Sequence, residues 1–206
     1  MSSSLMRTVK NEMIRYGEIK IRTCKNVYEP AEDTFLLADN LDVREGDSVL
    51  EIGTGTGLVA IKASEKGYVT ATDVNPAAVK CAQKNAVING VELRALQGDL
   101  FDPVEGEKFD VILFNTPYLP ATGDDATGDV LDLAWNGGPD GRMVIDRFLD
   151  EVPAHLKPGG RVQLVQSSLS DTEKTLQKLA GMGFDASVTA SERYFFEEIV
   201  LITARI

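Results

Sequence analysis

From Ser48 to Asn115 the chain alternates short apolar runs with helical or loop patterns, and this alternation limits the possible folds more than any other feature. The runs are SVLEIG (Ser48 to Gly53), YVTATDV (Tyr68 to Val74), VELRALQGD (Val91 to Asp99) and FDVILFN (Phe109 to Asn115). GEIKIRT (Gly17 to Thr23) precedes them, and GRVQLVQS (Gly160 to Ser167), FDASVTASE (Phe184 to Glu192) and EIVLITARI (Glu198 to Ile206) follow. Short runs that are largely apolar and bounded by Gly, Asp or Asn suit strands covered on both faces. Among the helical segments, NPAAVKCAQKNAVING is fully punctuated: Asn75 can cap, Pro76 takes the first helical position and Gly90 follows the end. RMVIDRFLDEVPAHL puts Ile145, Phe148, Leu149, Val152 and Leu156 on one stripe, with Pro153 expected to kink or end the helix. DTEKTLQKLAGMGF aligns Leu176, Leu179 and Ala180. Strands alternating with helices predict an α/β layered fold with a largely parallel sheet. The last two runs are joined by RYFFE, too short for a helical crossover, so that pair is expected to be antiparallel.

At 206 residues the chain suits a single domain over 1–206, with residues 1–28 as a short N-terminal β extension packed on it. The formal net charge of −11 disfavours a protein whose affinity rests on neutralising nucleic-acid phosphates. Cys24 and Cys81 stand far apart with no metal-like spacing, which reads as a reduced, intracellular protein, and His155 is the single histidine, so no metal is expected. No apolar stretch approaches the roughly 20 residues of a membrane helix, and MSSSLMRTVKNEM lacks the apolar centre of a signal peptide. A cytoplasmic location is expected.

LEIGTGTG (Leu50 to Gly57) follows a strand and opens a helix. Gly53 and Gly55 match the start of G-x-G-x-x-G, but the third position is Leu58 and the glycine falls at 57. Asp73, ending the next strand beside Val74, is placed to accept hydrogen bonds from ribose hydroxyls. Glu51 discriminates among ligands: its carboxylate repels a pyrophosphate but suits an ammonium, such as the amino-acid end of S-adenosylmethionine. In QGDL, Asp99 can bond an adenine amine and Leu100 can cover the ring. Glu51, Asp73, Asp99 and Asn115 all end strands, where ligands of open α/β sheets sit.

VILFNTPYLP ends the strand that follows in a stiff, polar tip. The Asn115 side-chain oxygen and the Thr116 carbonyl, aimed by Pro117, form two converging acceptors for the hydrogens of a planar NH₂ group. Tyr118 can pack on that group. An amide nitrogen is a poor nucleophile, so holding it in line with the donor supplies catalysis by orientation and electrostatics. Read alone, the same residues are also an ordinary turn. The long connection Ala121 to Arg142 is rich in Gly and Asp, and loops of that length are usually functional. Within it, AWNGGPDGR (Ala134 to Arg142) reads either as a turn or as the rim of a substrate pocket around Trp135.

NTPY resembles the Asn-Pro-Pro-Tyr signature of amino-group methyltransferases. Together with VYEPAEDTFLL (Val27 to Leu37), LEIGTGTG, TDVNPAA and AWNGGPDGR, it is similar to the archaeal and eukaryotic HemK-type glutamine methyltransferases. The resemblance implies a Rossmann-like seven-stranded class I fold, S-adenosylmethionine as donor and the Gly-Gly-Gln glutamine of a class I release factor as acceptor. It also implies that Thr34, Glu51, Gly53, Asp73, Asp99, Leu100 and Asn115 contact the cofactor, and that Asn115, Thr116 and Pro117 grip the glutamine. A small zinc-binding activator subunit, forming a heterodimer, is implied as well. Thr116 departs from the family pattern, which has proline there; it removes one fixed φ angle and adds an N–H. Transfer to a nucleic-acid amine or to protein lysine, and cofactor binding without turnover, stay open. A nicotinamide-dependent dehydrogenase is disfavoured by Glu51 and Leu58.

Overall fold

A computed structural model describes residues 12–121 and 130–206. The opening stretch before Glu12 and part of the Gly/Asp-rich connection, 122–129, lie outside the described residues. The apolar runs form one seven-stranded sheet: β3 (Ser48–Ile52), β4 (Tyr68–Asp73), β5 (Arg94–Gln97), β6 (Phe109–Asn115), β7 (Leu156–Ser167), β8 (Asp185–Arg193) and β9 (Glu198–Arg205). Their order is β5-β4-β3-β6-β7-β9-β8. The first five are mutually parallel, while β9 runs antiparallel to both β7 and β8, as the short RYFFE link requires.

The two-residue period of the strands sorts their side chains onto two faces. Leu50, Ile52, Ile112, Phe114, Val162, Leu164 and Ile202 enter a core with helix α4 (Met143–His155) and α5 (Thr172–Gly181). Val49, Val111, Leu113, Val165 and Leu201 enter the opposite core with α1 (Glu32–Asp39) and α2 (Leu58–Ala63). Helix α4 runs through Pro153 and ends two residues later, so the proline neither stops it at once nor interrupts its buried stripe. The single histidine is a core residue: its ring stacks on Phe101 at 4.4 Å and its Nδ1 meets the Glu107 carbonyl at 3.0 Å.

Helix α3 (Pro76–Asn89) is punctuated as expected, with Asn75 accepting from the Ala77 N–H at 2.9 Å and Gly90 in the left-handed region. The expected N-terminal β extension is present beside α3: β2 (Ile19–Arg22) lies within the GEIKIRT run and pairs antiparallel with β1 (Met13–Tyr16), a strand the sequence did not mark. Here two side-chain amides of α3 take the part of a neighbouring strand. Asn89 accepts from the Lys20 N–H (2.9 Å) and donates to its carbonyl (2.8 Å); Asn85 does the same for Arg22 at 2.9 and 3.0 Å. The free edge of β2 is thereby paired.

Contrary to the expectation of two free thiols, Cys24 and Cys81 are joined in a disulfide, with Cα atoms 6.1 Å apart. Sequence separation hid this pairing, because the hairpin returns Cys24 onto α3 one turn before Asn85. The closed loop spans 57 residues, for which chain entropy gives about 4 kcal/mol of stabilisation. No helix among the described residues is long and apolar enough to cross a membrane. Reduction, or Cys24→Ser, is expected to lower the melting temperature by roughly 10 °C, and intact mass under denaturing conditions should show no thiol available to alkylation until a reductant is added.

Candidate active site

A cleft of about 360 Å³ opens at the carboxyl ends of the parallel strands. Its lining includes Thr34, Glu51, Gly53, Gly55, Asp73, Val74, Asp99, Leu100, Asn115 and Pro117, so ten of the residues singled out in the sequence meet in one place. Thr116 and Tyr118, on either side of the lining residue Pro117, are not part of that lining.

The Gly-rich turn is shaped by contacts that only glycine permits. Gly57, at φ 85°, packs so closely on α3 that a Cβ there would lie 2.9 Å from Ala82. This explains why the third glycine falls at 57: it seats helix on helix. Gly53, at φ 67°, faces the Phe114 ring at 3.2 Å in the same sense. From the α3 side, the buried Asn85 amide donates to the Thr56 carbonyl at 2.9 Å, tying the turn to the N-terminal hairpin.

Glu51 is 4% exposed and accepts from the Thr54 hydroxyl at 2.6 Å. Burial pushes its carboxyl up to about 8, and nearby Asp73 raises it further, while the bond from Thr54 works the other way. Asp73 is also raised by burial, against the Gly55 and Asn75 N–H groups that its two oxygens accept at 2.9 Å. Asp99 is not free for a ligand on both sides: Arg147 of α4 holds its Oδ2 at 2.7 Å. Leu100 sits at φ 42°, a left-handed conformation that costs a non-glycine residue about 1–2 kcal/mol; the Thr72 hydroxyl, donating to its carbonyl at 3.2 Å, helps to hold it.

At the tip, the Asn115 Oδ1 is buried with no hydrogen-bond partner. Such an orphan acceptor is costly and calls for an explanation. Thr116, 2% exposed, hangs on one carbonyl of β7: its N–H (3.2 Å) and its hydroxyl (2.7 Å) both donate to Val165. The added N–H is therefore used, and the hydroxyl is an anchor. Tyr118 packs against both core clusters, and its hydroxyl donates to the buried Asp33 at 3.2 Å. Its ring is therefore engaged in packing and is not a free platform in the cleft.

AWNGGPDGR presses on the tip from the other side. The Gly137 N–H donates to the Leu119 carbonyl, and the Leu119 N–H to the Trp135 carbonyl, both at 2.9 Å. A Cβ on Gly137 would come within 2.6 Å of the Pro117 carbonyl, and one on Gly141 (φ 72°) within 2.3 Å of the Tyr118 carbonyl. Arg142, which follows, is buried and fixed by the Ser170 and Asp171 carbonyls and by Asp146.

Comparison with known proteins bears on this geometry. Residues 18–133 match the model of the methyltransferase small domain. A Methanocaldococcus jannaschii protein, provisionally named a protein N5-glutamine methyltransferase, is 48% identical over 93% of this chain and 98% of its own length. The chain belongs to the HemK-type protein glutamine methyltransferases. Human methyltransferase HEMK2 is 34% identical over 86% of this chain and 89% of its own length. Among solved structures, the E. cuniculi Mtq2–Trm112 complex, described as responsible for methylating the eRF1 termination factor, matches with a TM-score of 0.69 at 28% identity, covering 87% of this chain and 98% of that one.

For a HemK-type enzyme, three residues overlooked in the sequence matter. Asp33 accepts from Tyr118 and from the Thr34 N–H (2.6 Å), joining α1 to the tip. Asn85 and Arg147 act from helices whose stripes showed only packing. A polar residue on the buried side of α3 was the available signal for Asn85. The glycine buttress yields a direct test. Gly141→Ala should cut turnover at least tenfold and destabilise the fold by about 2–4 kcal/mol, with donor affinity within threefold by calorimetry. Gly159→Ala, at φ 75° with open space around it, isolates the φ cost and should leave turnover unchanged.

Proposed function

We propose that the enzyme transfers a methyl group from S-adenosylmethionine to the side-chain amide of a protein glutamine, that of the Gly-Gly-Gln motif in a class I release factor. The observation that carries this reading is the buried, unpartnered Asn115 Oδ1 at the end of the cleft, an acceptor waiting for an N–H. The family membership and the eRF1 methylation named for the Mtq2–Trm112 complex support the choice of acceptor.

The residues suit the donor. Glu51 takes its ammonium, Asp73 its ribose hydroxyls and Asp99 the adenine amine, with Val74 and Leu100 against the ring, Thr34 closing the entry, and Gly53 and Gly55 allowing close approach. When bound, the donor supplies an electrophilic methyl on a sulfonium. Asn115 Oδ1 and the Thr116 carbonyl accept the two amide hydrogens and point the nitrogen lone pair at that methyl. Both acceptors would stabilise the positive charge that develops on the amide nitrogen as it takes the methyl group, until one proton leaves to water. Pro117 fixes the direction of the Thr116 carbonyl, and Tyr118 acts through Asp33 to keep the tip in place.

We infer that the chain works as one domain with residues 1–28 as its extension, and as a heterodimer with a small zinc-binding activator. Among the described residues no cluster of His, Cys, Asp and Glu could itself hold a metal ion. A translation factor is met in the cytoplasm, and we place the enzyme there.

Asn115→Ala is expected to lower turnover by about 100–1000-fold with the donor dissociation constant within threefold; near-normal turnover would remove Asn115 from its role. The decisive assay is mass spectrometry of the release factor coexpressed with and without the enzyme and its partner. Glu51 gives a pH test. Its carboxyl is neutral below about 8 in the donor-free protein and must ionise to meet an ammonium. Donor affinity should therefore rise between pH 6 and 8, with release of up to one proton per site at pH 7, seen by calorimetry in buffers of differing ionisation enthalpy. Glu51→Gln should abolish the release. The same shift means that stability of the donor-free fold, full below the ordinary value of 4.5, declines as pH rises towards 8.

A further inference from the structure

Strand β9 begins opposite the end of β7, Ile199 facing Ser167, so the turn between β8 and β9 stands at the same edge of the sheet as Asn115. Two strand spacings, roughly 10 Å, separate β6 from β9. On this turn Phe195 and Phe196 are 92% and 85% exposed, with their rings edge to face at 4.7 Å. Tyr194 and Leu169 extend the apolar surface.

The turn is held, not loose. Glu197 accepts from the Ser167 hydroxyl at 2.6 Å, the Glu198 N–H donates to Ser168 at 3.0 Å, and the Tyr194 N–H donates to the Glu197 carbonyl at 2.8 Å. Two adjacent phenylalanines kept in water on a fixed support serve no purpose in folding. Around them the charge is acidic. The Tyr194 hydroxyl donates to Glu192 at 2.6 Å, and its phenol is pushed up to about 12 by that bond, with Glu32 and Asp33 of α1 adding to the effect across the gap. The cation on the turn, Arg193, pairs with Glu198 at 3.4 Å. Asp33 in turn accepts from Tyr118 of the acceptor tip, so the same carboxylates stand between this turn and the tip.

Aromatic faces beside carboxylates suit an apolar side chain next to a lysine or arginine. We propose that the Tyr194–Phe196 turn docks the acceptor protein, gripping a segment near the target glutamine that carries an apolar and a basic residue. The proposal rests on the glutamine reading above. The position of this turn on the same edge of the sheet as Asn115, two strands away, and the carboxylates around it favour the acceptor over the activator subunit or a second copy of this chain.

The test compares wild type with Phe195→Ser/Phe196→Ser, each with its partner subunit, on the intact release factor and on a short Gly-Gly-Gln peptide. The expected result is a KM for the intact factor raised at least tenfold, with kcat within twofold, donor affinity unchanged and peptide kinetics unchanged. Glu32→Gln/Glu192→Gln should raise the same KM about threefold at low salt, a difference that vanishes near 0.5 M salt. An unchanged KM for the intact factor overturns the docking role while transfer by the wild type leaves the glutamine reading standing. Loss of the partner subunit on purification, or a changed mass by light scattering, would assign the surface to the activator or to a second copy and overturn it equally. No transfer by the wild type removes the acceptor and the docking proposal together.

Discussion

The acceptor tip depends on a squeeze. On one side Thr116 hangs by two hydrogen bonds from a single carbonyl of β7; on the other, Gly137 and Gly141 bring backbone against the Pro117 and Tyr118 carbonyls. Neither side would suffice. The β7 bonds fix the height of the tip, and the glycine turn fixes its tilt. Between them, the Asn115 amide stays unpartnered on its oxygen without collapsing onto a neighbour. The Gly-rich turn, Asp73 and Leu100 end or follow strands whose parallel register with β6 brings them to the same edge of the sheet as this point.

The electrostatics follow the same pattern of stored cost. Glu51 is buried and Asp73 half-buried, burial raises both carboxyls, and each raises the difficulty of charging the site without a ligand. A cationic group entering the cleft relieves both at once. Ligand affinity and intrinsic stability are thus set against each other within a few ångströms, as is usual where a site holds polar groups ready for a partner.

Much of the architecture could be read from the chain because its strands are apolar on both faces and its third helix carries a cap, a proline and a terminal glycine. The cleft was legible for a related reason: residues that end parallel strands share one edge whatever their side chains do. What escaped the sequence is tertiary. β1, four residues long, is too short for a two-residue period to mark it. The disulfide requires knowing that the hairpin folds back on α3. The Thr116 hydroxyl had no role in the sequence reading because its partner, a carbonyl 49 residues away, leaves no trace in spacing. Tyr118 looked like a stacking surface because nothing local shows Asp33 beneath it.

Asn85 has a consequence for how the molecule divides. One amide reaches the backbone of β2, the carbonyl of Thr56 in the Gly-rich turn and its own helix, one turn from the disulfide. Val27 and Tyr28, just beyond the hairpin, line the cleft. The first segment is therefore not an accessory that a shorter relative could shed or a graft could replace alone. Hairpin, third helix and Gly-rich turn form one inheritable part, and a chimera that exchanges any one of them must carry the other two.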